Sequence, residues 1–209
     1  MKEKFLKLDE EKQKRIIHAA LKEFAEKGYE QASTNQIVKE AGIGKGMLFY
    51  YFETKEKLFN YLVNYCLDIL GKHFLSFIPE DSPDFIEKLA GISKLKFKFY
   101  TEFPLEWEFL SRFFVEHGLE LPEEARKKYE EIYAVSMEKF FGNNRIDKSL
   151  FRDDIDAEKA FQLIQWAIKG YQNELLERFK NKTVNMEDVE PLWDEFDEYL
   201  EILKTCFYK

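Results

Sequence analysis

The segment Thr34–Lys55 reads TNQIVKEAGIGKGMLFYYFETK and decides the fold of the N-terminal region. Ser33 followed three residues later by Gln36 is a capping-box pattern, which predicts that a helix begins here. Gly42 suits the left-handed position that ends such a helix, and Gly44 can cap the start of a second one. Two short helices joined by a tight glycine-containing turn are the helix-turn-helix signature, and the second helix of that motif lies in a DNA major groove.

The second of these helices has two faces. Leu48 and Phe52 are four residues apart and are predicted to point into one core. Lys45, Gly46 and Phe49 fall elsewhere on the helix, which favours a contact surface. The alternative is that all the aromatic residues of this helix belong to the core of a small bundle. Periodicity alone does not decide between the two interpretations.

Residues from about 14 to 60 resemble the DNA-binding domain of the tetracycline-repressor (TetR) family, in many positions that share one register. These positions are Arg15, Ile16, Ile17, Ala19, Ala20, Phe24, Gly28, Tyr29, Ser33, Thr34, Ile37, Ala41, Gly42, Ile43, Lys45, Gly46, Leu48, Tyr50, Tyr51, Phe52, Lys55 and Leu58. Met47 stands where the family usually has Thr, and Phe49 where it usually has Tyr, so neither side chain can donate a hydrogen bond. Beyond this first quarter, the chain resembles the family only in being helical and apolar.

The resemblance and the helix-turn-helix pattern together predict a set of DNA-binding residues. They are Ser33, Thr34, Asn35, Lys45, Gly46, Met47, Phe49, Tyr50, Tyr51 and Lys55. We expect Thr34, Lys45 and Lys55 to contact phosphate, and Gly46 to let the backbone approach closely. The apolar Phe49 is expected to touch a thymine methyl group or a sugar.

Composition agrees with such a protein. The chain has 209 residues and a formal net charge of −8, but the first 60 residues carry a net charge of +2 and the remainder −10. A slightly basic N-terminal region could face phosphate while the acidic remainder faces away. The sequence has no run of eighteen apolar residues and no signal-peptide pattern at its start, and its two cysteines are isolated. We therefore expect a cytoplasmic protein without membrane contact.

Apolar spacing and glycine or proline positions predict an all-α fold throughout. A three-helix head with the helix-turn-helix is expected at 1–53, and a helical-bundle domain for effector binding and dimerisation at 54–209. The first helix is predicted to end at Gly28. The later helices are predicted at 54–77, 83–100 with Ser82 as its cap, 104–118, 122–142, 157–180 and 191–207, with a polar loop over 143–156.

The last two predicted helices each carry apolar residues spaced by three and four, which is the seam of a coiled coil. The predicted dimer interface is formed by Phe161, Ile164, Ile168, Tyr171, Leu175, Phe196, Leu200 and Leu203. A further apolar set, Leu163, Ala167 and Leu176, is then expected to face the core of the subunit. The alternative is that both seams face that core. A palindromic DNA operator requires a two-fold symmetric protein, which favours the homodimer.

Aromatic residues are abundant in the remainder of the chain. The family resemblance implies a pocket there for a small apolar or amphipathic effector, and bulky rings can line such a cavity. The predicted ligand-binding residues are Phe97, Tyr100, Trp107, Phe109, Tyr133, Met137, Gln162, Trp166 and Asn173. The alternative is a plain aromatic core.

Catalytic motifs are not recognisable. The three histidines are far apart in sequence and lack metal-ligand spacing, and Gly42–Gly46 lacks the preceding strand of a nucleotide-binding loop. The sequence therefore predicts no enzyme, no cofactor and no metal. We expect a DNA-binding regulator, and the resemblance implies a repressor released from a palindromic operator by its ligand. The alternative function is a helical-bundle interaction or architectural protein without a small-molecule effector.

Overall fold

The structure is a computed structural model that describes residues 2–76, 83–117, 120–141, 146–179 and 186–209. Within these ranges it has ten α-helices, one 3₁₀ helix and no β-strand, which confirms the predicted all-α class. The helices are α1 (Lys2–Leu6), α2 (Glu10–Gln31), α3 (Thr34–Ala41), α4 (Lys45–Phe52), α5 (Lys55–Ser76), α6 (Phe85–Glu102), α7 (Pro104–His117), α8 (Glu123–Phe141), α9 (Ala157–Phe179) and α10 (Met186–Phe207). The 3₁₀ helix is Lys148–Leu150.

Contacts divide the chain into two compact units. The first, unit 1, comprises Met1–Lys72 and Phe103–Ile132, and the second, unit 2, comprises His73–Glu102 and Tyr133–Lys209. Both units are therefore discontinuous in sequence. The predicted division into a DNA-binding domain at 1–53 and an effector domain at 54–209 is a functional one and stays a prediction.

The backbone of α2 turns sharply at the glycine predicted to end it. Gly28 has φ of 71°, but helical hydrogen bonding resumes beyond it and continues to Gln31. Just before this kink, Arg112 Nη1 of α7 donates hydrogen bonds of 3.1 Å to the carbonyl oxygens of Ala25 and Glu26. Arg112 therefore supplies a hydrogen-bond donor to two backbone carbonyls beside the kink.

The core of unit 1 includes the inward faces of α2, α3, α4 and α5. The predicted core residues Ile37, Ala41 and Leu48 are each at most 1% exposed, and Phe52 is 6% exposed. Apolar residues at helical spacing thus bury one face of each short helix. Neither α3 nor α4 is long enough to be stable alone, so this packing holds them in place.

Helix α1 was not predicted, because five residues are too few for an apolar period to be visible. Its Phe5 is completely buried. The Phe5 ring lies 6.0, 4.8 and 5.4 Å from the rings of Tyr51, Phe52 and Tyr61, measured between centroids. A single buried aromatic residue therefore anchors α1 onto the end of α4.

The core of unit 2 comes from α6, α9, α10 and the segment before α9. The predicted polar loop over 143–156 is wrong in its described part, because it contains the 3₁₀ helix and the buried Phe151, which is 2% exposed. Phe151 forms an antiparallel bridge with Tyr208. The amide of Lys209 donates to the carbonyl of Leu150 at 3.0 Å. Apolar burial and backbone pairing therefore order a segment whose composition is polar.

Two predicted helix starts also need correction. Ser82 lies outside the described residues, and the N-terminus of α6 is capped by Asp84, whose Oδ1 accepts from the amides of Ile86 and Glu87 at 2.8 and 3.1 Å. Helix α10 begins at Met186 and contains Pro191, where its start was predicted. Pro191 is the sixth residue of α10, so its missing amide removes one helical hydrogen bond, and the helix nevertheless continues N-terminal to it.

Candidate nucleic-acid interface

The helix-turn-helix is built by local capping. The hydroxyl of Ser33 accepts from the amide of Gln36 at 3.4 Å, as the capping box predicts. The amide of Ser33 donates not to Gln36 but to the carboxylate of Glu23 in α2, at 2.8 Å. Glu23 is 8% exposed, so a buried side chain from a neighbouring helix replaces half of the capping box. The start of α3 is therefore tied to α2.

The turn between the two helices has the predicted geometry. Gly42 adopts the left-handed conformation, with φ of 66° and ψ of 38°. Gly44 precedes α4 in an extended conformation and provides no side-chain cap. The amide of Ile43 donates a hydrogen bond of 3.0 Å to the carbonyl oxygen of Val38, which caps the C-terminus of α3.

The outward face of α3 and α4 presents most of the predicted DNA-binding residues. Ser33, Asn35, Lys45 and Gly46 are exposed, and Thr34 and Phe49 are partly buried. Met47 and Tyr50 are 39% and 53% exposed, which is uncommon for large apolar or aromatic side chains. The structure thus brings these residues together on one surface of unit 1.

Tyr51 does not belong to this surface. It is 3% exposed and packs in the unit 1 core beside Phe5. The prediction that Tyr51 contacts DNA is therefore wrong for its side chain. The reason is helical phase: Tyr51 lies three residues after Leu48, on the buried face of α4.

The two predicted lysines differ in their surroundings. Lys45 is exposed and makes no ion pair or hydrogen bond through its side chain with the residues that the structure describes. The Nζ of Lys55 donates to the carbonyl of Glu30 at 3.1 Å and lies 4.9 Å from the ring centroid of Tyr29. An ammonium group has three donors, so Lys55 keeps donors for a phosphate, but from a fixed position.

One cation near this surface was missed by the sequence analysis. Lys4 Nζ lies 4.3 Å from the ring centroid of Tyr50, so α1 adds a positive charge beside the exposed ring. The sequence contains Lys4 in a short charged N-terminal stretch. Only the burial of the adjacent Phe5 places that stretch against α4.

Glycine at position 46 is not explained by packing inside the protein. A Cβ atom built on Gly46 would meet no other atom within 4 Å, and its φ is not in the left-handed region. Glycine inside a helix is unfavourable relative to alanine. Because Gly46 has no side chain, a molecule outside the protein can approach the backbone closely at the start of α4.

The predicted dimer seam is buried within unit 2. Ile164, Ile168, Leu175, Phe196 and Leu200 are each at most 5% exposed. The partly buried Phe161, Tyr171 and Leu203 pack against the same core. The five buried side chains therefore fill the core of the subunit itself, whereas the assignment of the partly buried Phe161, Tyr171 and Leu203 to a dimer interface stays a prediction.

The opposite face of α9 and α10 is apolar and exposed. Leu163, Trp166, Tyr199 and Ile202 are 48%, 64%, 46% and 58% exposed. A groove of about 350 Å³ runs between the two helices, and Trp166, Tyr199 and Ile202 line it together with Tyr171 and Leu203 of the predicted seam. Leu163 and Ala167 were predicted to face the core and do not, while the side chain of Leu176 lies outside the described residues.

The predicted ligand-binding residues are divided between the two units. Phe109 is 2% exposed and packs in the core of unit 1, with ring centroids 6.4 Å from Phe24 and 5.3 Å from Phe59, and its assignment to a ligand pocket stays a prediction. Trp107 also belongs to unit 1. Tyr133, Gln162, Trp166 and Asn173 are exposed, and the side chain of Met137 lies outside the described residues.

Phe97 and Tyr100 belong to one apolar cluster of unit 2. Phe97 and Leu175 are 8% and 5% exposed, and Tyr100, Tyr171, Leu192 and Trp193 pack against them. The Phe97 ring lies 5.4 Å from that of Trp193 in an edge-to-face arrangement. The side chains of this cluster come from α6, α9 and α10.

The described ranges show neither a metal-binding cluster nor a membrane-spanning helix. They hold no group of three or more His, Cys, Asp or Glu side chains arranged to bind a metal ion. No helix in those ranges has the length and apolar character needed to cross a membrane. Cys66 is buried and Cys206 exposed, and neither forms a disulfide. Burial raises the pKa of the Cys66 thiol well above its usual value.

Comparison with known proteins gives a family match at the helix-turn-helix. Residues 16–62 match the family model described as bacterial regulatory proteins, tetR family. Over 58 residues, the chain is 48% identical to the HTH-type transcriptional regulator YuxN of Bacillus subtilis (strain 168). That match covers 28% of this chain and spans only 20% of the length of YuxN.

Solved structures resemble the chain over most of its length. A TetR family transcriptional regulator from Chloroflexus aurantiacus J-10-FL has a TM-score of 0.69 at 22% identity, covering 99% of this chain and 98% of that one. The transcriptional regulator FadR from Bacillus subtilis, in complex with stearoyl-CoA, has a TM-score of 0.51 at 22% identity, covering 91% and 96%. At this identity the likeness shows the fold. The match over residues 16–62 supports a TetR-family regulator, with α3 and α4 as the helix-turn-helix.

Proposed function

We propose that the chain is a cytoplasmic transcriptional repressor that binds a palindromic DNA operator as a homodimer and is released by a small apolar or amphipathic ligand. The observation that carries the proposal is the outward face of the helix-turn-helix. It combines a lysine that pairs with no described residue, a glycine open to close approach, and two exposed apolar or aromatic side chains, all on helices with a buried inner face.

The proposed DNA contacts follow from position on α4. The N-terminal residues of the second helix of this motif reach base edges, and Lys45 and Gly46 are the first two residues of α4. Lys45 would contact a phosphate, and Gly46 would let the helix start lie close to the backbone of the DNA. Met47, Phe49 and Tyr50 offer apolar surface to thymine methyl groups or sugars.

The proposed homodimer uses the exposed face of α9 and α10 rather than the predicted seam. Leu163, Trp166, Tyr199 and Ile202 lie there at 46–64% exposure, and large exposed apolar patches mark interaction sites. A two-fold axis through this face would place the same residues of both subunits opposite each other. Such symmetry matches a palindromic operator, whose half-sites lie roughly 34–36 Å apart.

The proposed effector site is the cluster around Phe97, Tyr100 and Trp193 in unit 2. Its aromatic and aliphatic side chains suit an apolar or amphipathic molecule. The FadR structure contains stearoyl-CoA, an amphipathic molecule, and supports this class of ligand for a similar fold. The ligand would act by binding better to an arrangement of the dimer whose two helix-turn-helix motifs do not match the operator spacing.

The first experiment measures operator binding by fluorescence anisotropy. The probe is the DNA upstream of the protein's own gene, and the control is a shuffled fragment of the same length and composition. We expect the protein to bind this probe at least roughly 1,000-fold more tightly than the control, as in specific protein–DNA complexes. The stoichiometry should be two chains per palindrome. Equal affinities for both fragments at several salt concentrations would contradict a sequence-specific regulator and favour an architectural protein.

The second experiment tests release by ligand, with stearoyl-CoA as the first probe. We expect the probe to weaken operator binding by a factor of about 5–150, the usual range of allosteric coupling. Linkage requires operator DNA to weaken stearoyl-CoA binding by the same factor. Equal probe affinity with and without operator would show that acyl-CoA binding and DNA binding are not coupled.

A further inference from the structure

Unit 1 contains a cleft beside the end of the helix-turn-helix. Its volume is about 210 Å³, and it is bordered by α4, α5 and the start of α8. Three aromatic residues line it: Tyr51, Phe52 and Tyr61. Tyr51 and Phe52 are the last two residues of α4, so an occupant of the cleft would touch the proposed recognition helix directly.

Helix α1 supports the aromatic side of this cleft. Phe5 of α1 is fully buried, and its ring packs against all three of these aromatic rings. Burial raises the pKa of Tyr61 to about 12, with smaller contributions from Tyr65 and Asp68. The Tyr61 hydroxyl is therefore uncharged at neutral pH, and the aromatic wall is preformed and neutral.

A buried polar group in the cleft lacks a partner. Asn64 lines the cleft and is 8% exposed. Its Nδ2 donates to the backbone carbonyl of Asn60 at 2.9 Å. Its Oδ1 is buried and accepts no hydrogen bond from the residues that the structure describes. An unpaired buried acceptor is costly, and native proteins rarely keep one without a reason.

The charged residues of the cleft favour an uncharged occupant. The ammonium of Lys57 already pairs with the carboxylate of Glu53, one turn earlier in the chain. Glu124 is exposed and remains hydrated. An ion entering beside Asn64 would lose its hydration without gaining an opposite charge there, which is unfavourable.

Size restricts the occupant further. A cleft of about 210 Å³ is smaller than the pockets of drug-sized ligands, which start at roughly 300 Å³. An apolar cavity of about 150 Å³ can hold benzene. A molecule with a single aromatic ring and one small polar substituent therefore fits the available volume.

We propose that this cleft binds a small uncharged aromatic molecule whose O–H or N–H group donates a hydrogen bond to Asn64 Oδ1. The ring packs against Tyr51, Phe52 and Tyr61, and the donor satisfies the unpaired amide oxygen. This site is separate from the effector cluster of unit 2. Binding itself is independent of the proposed function, whereas any effect on operator affinity rests on it.

The test uses two nearly isosteric probes, 4-fluorophenol and 4-fluorotoluene, which differ in the presence of a hydroxyl donor. Their dissociation constants are measured by ¹⁹F NMR with the full chain and without DNA. The variants are Asn64→Leu, which removes the acceptor, and Gln31→Leu, which removes an exposed amide elsewhere in unit 1. Asn64→Leu also removes the donor to the Asn60 carbonyl, but inside α5 that carbonyl still accepts from the backbone amide of residue 64, so we expect the variant to fold.

We expect the ratio of 4-fluorophenol affinity to 4-fluorotoluene affinity to fall about fivefold in Asn64→Leu, the effect of one neutral hydrogen bond. Gln31→Leu should leave the ratio unchanged. No binding of 4-fluorophenol to the wild-type chain, or the same ratio in wild type and Asn64→Leu, would overturn the proposal.

A second measurement needs no variant. Crystals of the wild-type chain soaked in 4-bromophenol should show anomalous bromine density in the cleft, with the phenol oxygen within hydrogen-bonding distance of Asn64 Oδ1. Bromine density only at other positions would overturn the assignment of the site. Failure of operator binding would leave both results intact, so the two proposals fail separately.

Discussion

The α3–α4 pair and the α9–α10 pair bury one face each but present opposite kinds of surface. The outward face of α3 and α4 consists of short polar side chains, a lysine and glycines. Met47 and Tyr50 are also exposed on this face. Outward from α9 and α10 lie Leu163, Trp166 and Ile202, each at least 48% exposed. The first surface suits a hydrated, charged partner such as DNA, and the second suits an apolar protein surface.

This difference shows that apolar spacing alone does not identify an interface. Helix α9 has apolar residues on two sides, and the more regular seam is the one inside the subunit. Regular spacing reports burial, whether within a chain or between chains. Exposure in the folded subunit is what separates the two cases.

The largest expected effect concerns the inward face of α10. Phe196 is 2% exposed, and its ring stacks on Tyr171 with centroids 5.3 Å apart. Phe196→Ala should lower the free energy of unfolding by about 3–5 kcal/mol, because it leaves a cavity in the core. The exposed Glu198→Ala on the same helix should stay within about 0.5 kcal/mol of the wild type. Chemical denaturation followed by circular dichroism measures the free energy of unfolding of both variants. Equal decreases for the two variants would refute the assignment of an inward and an outward face of α10.

The next effect concerns the outward face. The double variant Trp166→Glu, Ile202→Glu should raise the dimer dissociation constant at least about 100-fold, because an interface Trp is commonly worth 2 kcal/mol or more and the new carboxylates would be desolvated. Sedimentation should show a folded monomer. Lys98→Glu on α6 is the control and should remain a dimer. A wild-type monomer at micromolar concentration would refute the homodimer itself.

A smaller effect is expected at the DNA-facing surface. Lys45→Ala should weaken operator and nonspecific binding alike and reduce the slope of log affinity against log salt by about one unit, because one phosphate contact is lost. Lys55→Ala should do the same if its remaining donors reach phosphate. Lys27→Ala, an exposed lysine of α2 outside the predicted site, serves as the control. Unchanged slopes in both test variants would remove these lysines from the interface.

The smallest effects compare two glycines of the same motif. Gly42→Ala should cost about 1–2 kcal/mol of stability, because φ of 66° is unfavourable for a residue with a Cβ atom. Gly46→Ala should instead stabilise the protein by about 0.4–1 kcal/mol, since its Cβ atom meets nothing and alanine favours the helix. If Gly46 lies against DNA, the same change should weaken operator binding despite the gain in stability. If fluorescence anisotropy gives the same operator affinity for Gly46→Ala as for the wild type, the close approach of Gly46 to DNA is contradicted.

Local signals account for what was predictable in unit 1. The signals are capping at Ser33 and Gly42 and the helical spacing of Ile37, Ala41 and Leu48. Each depends on residues a few positions apart, so the sequence shows both short helices and the turn between them. Tyr51 was misassigned because the aromatic run Phe49–Phe52 hides the helical phase. The role of Glu23 in capping α3 was also invisible, because it lies ten residues away and depends on the packing of α2.

The sequence by itself determined the all-α class, the helix-turn-helix and its family, because capping and apolar period are properties of neighbouring residues. Only the tertiary structure decided which side of α9 and α10 is exposed, since both sides carry apolar residues and the choice depends on what α6 and Phe151 cover. It likewise decided that Phe109 belongs to the core of unit 1 and that Phe5 holds α1 against α4. Burial is a sum over contacts distant in sequence, so no local pattern contains it.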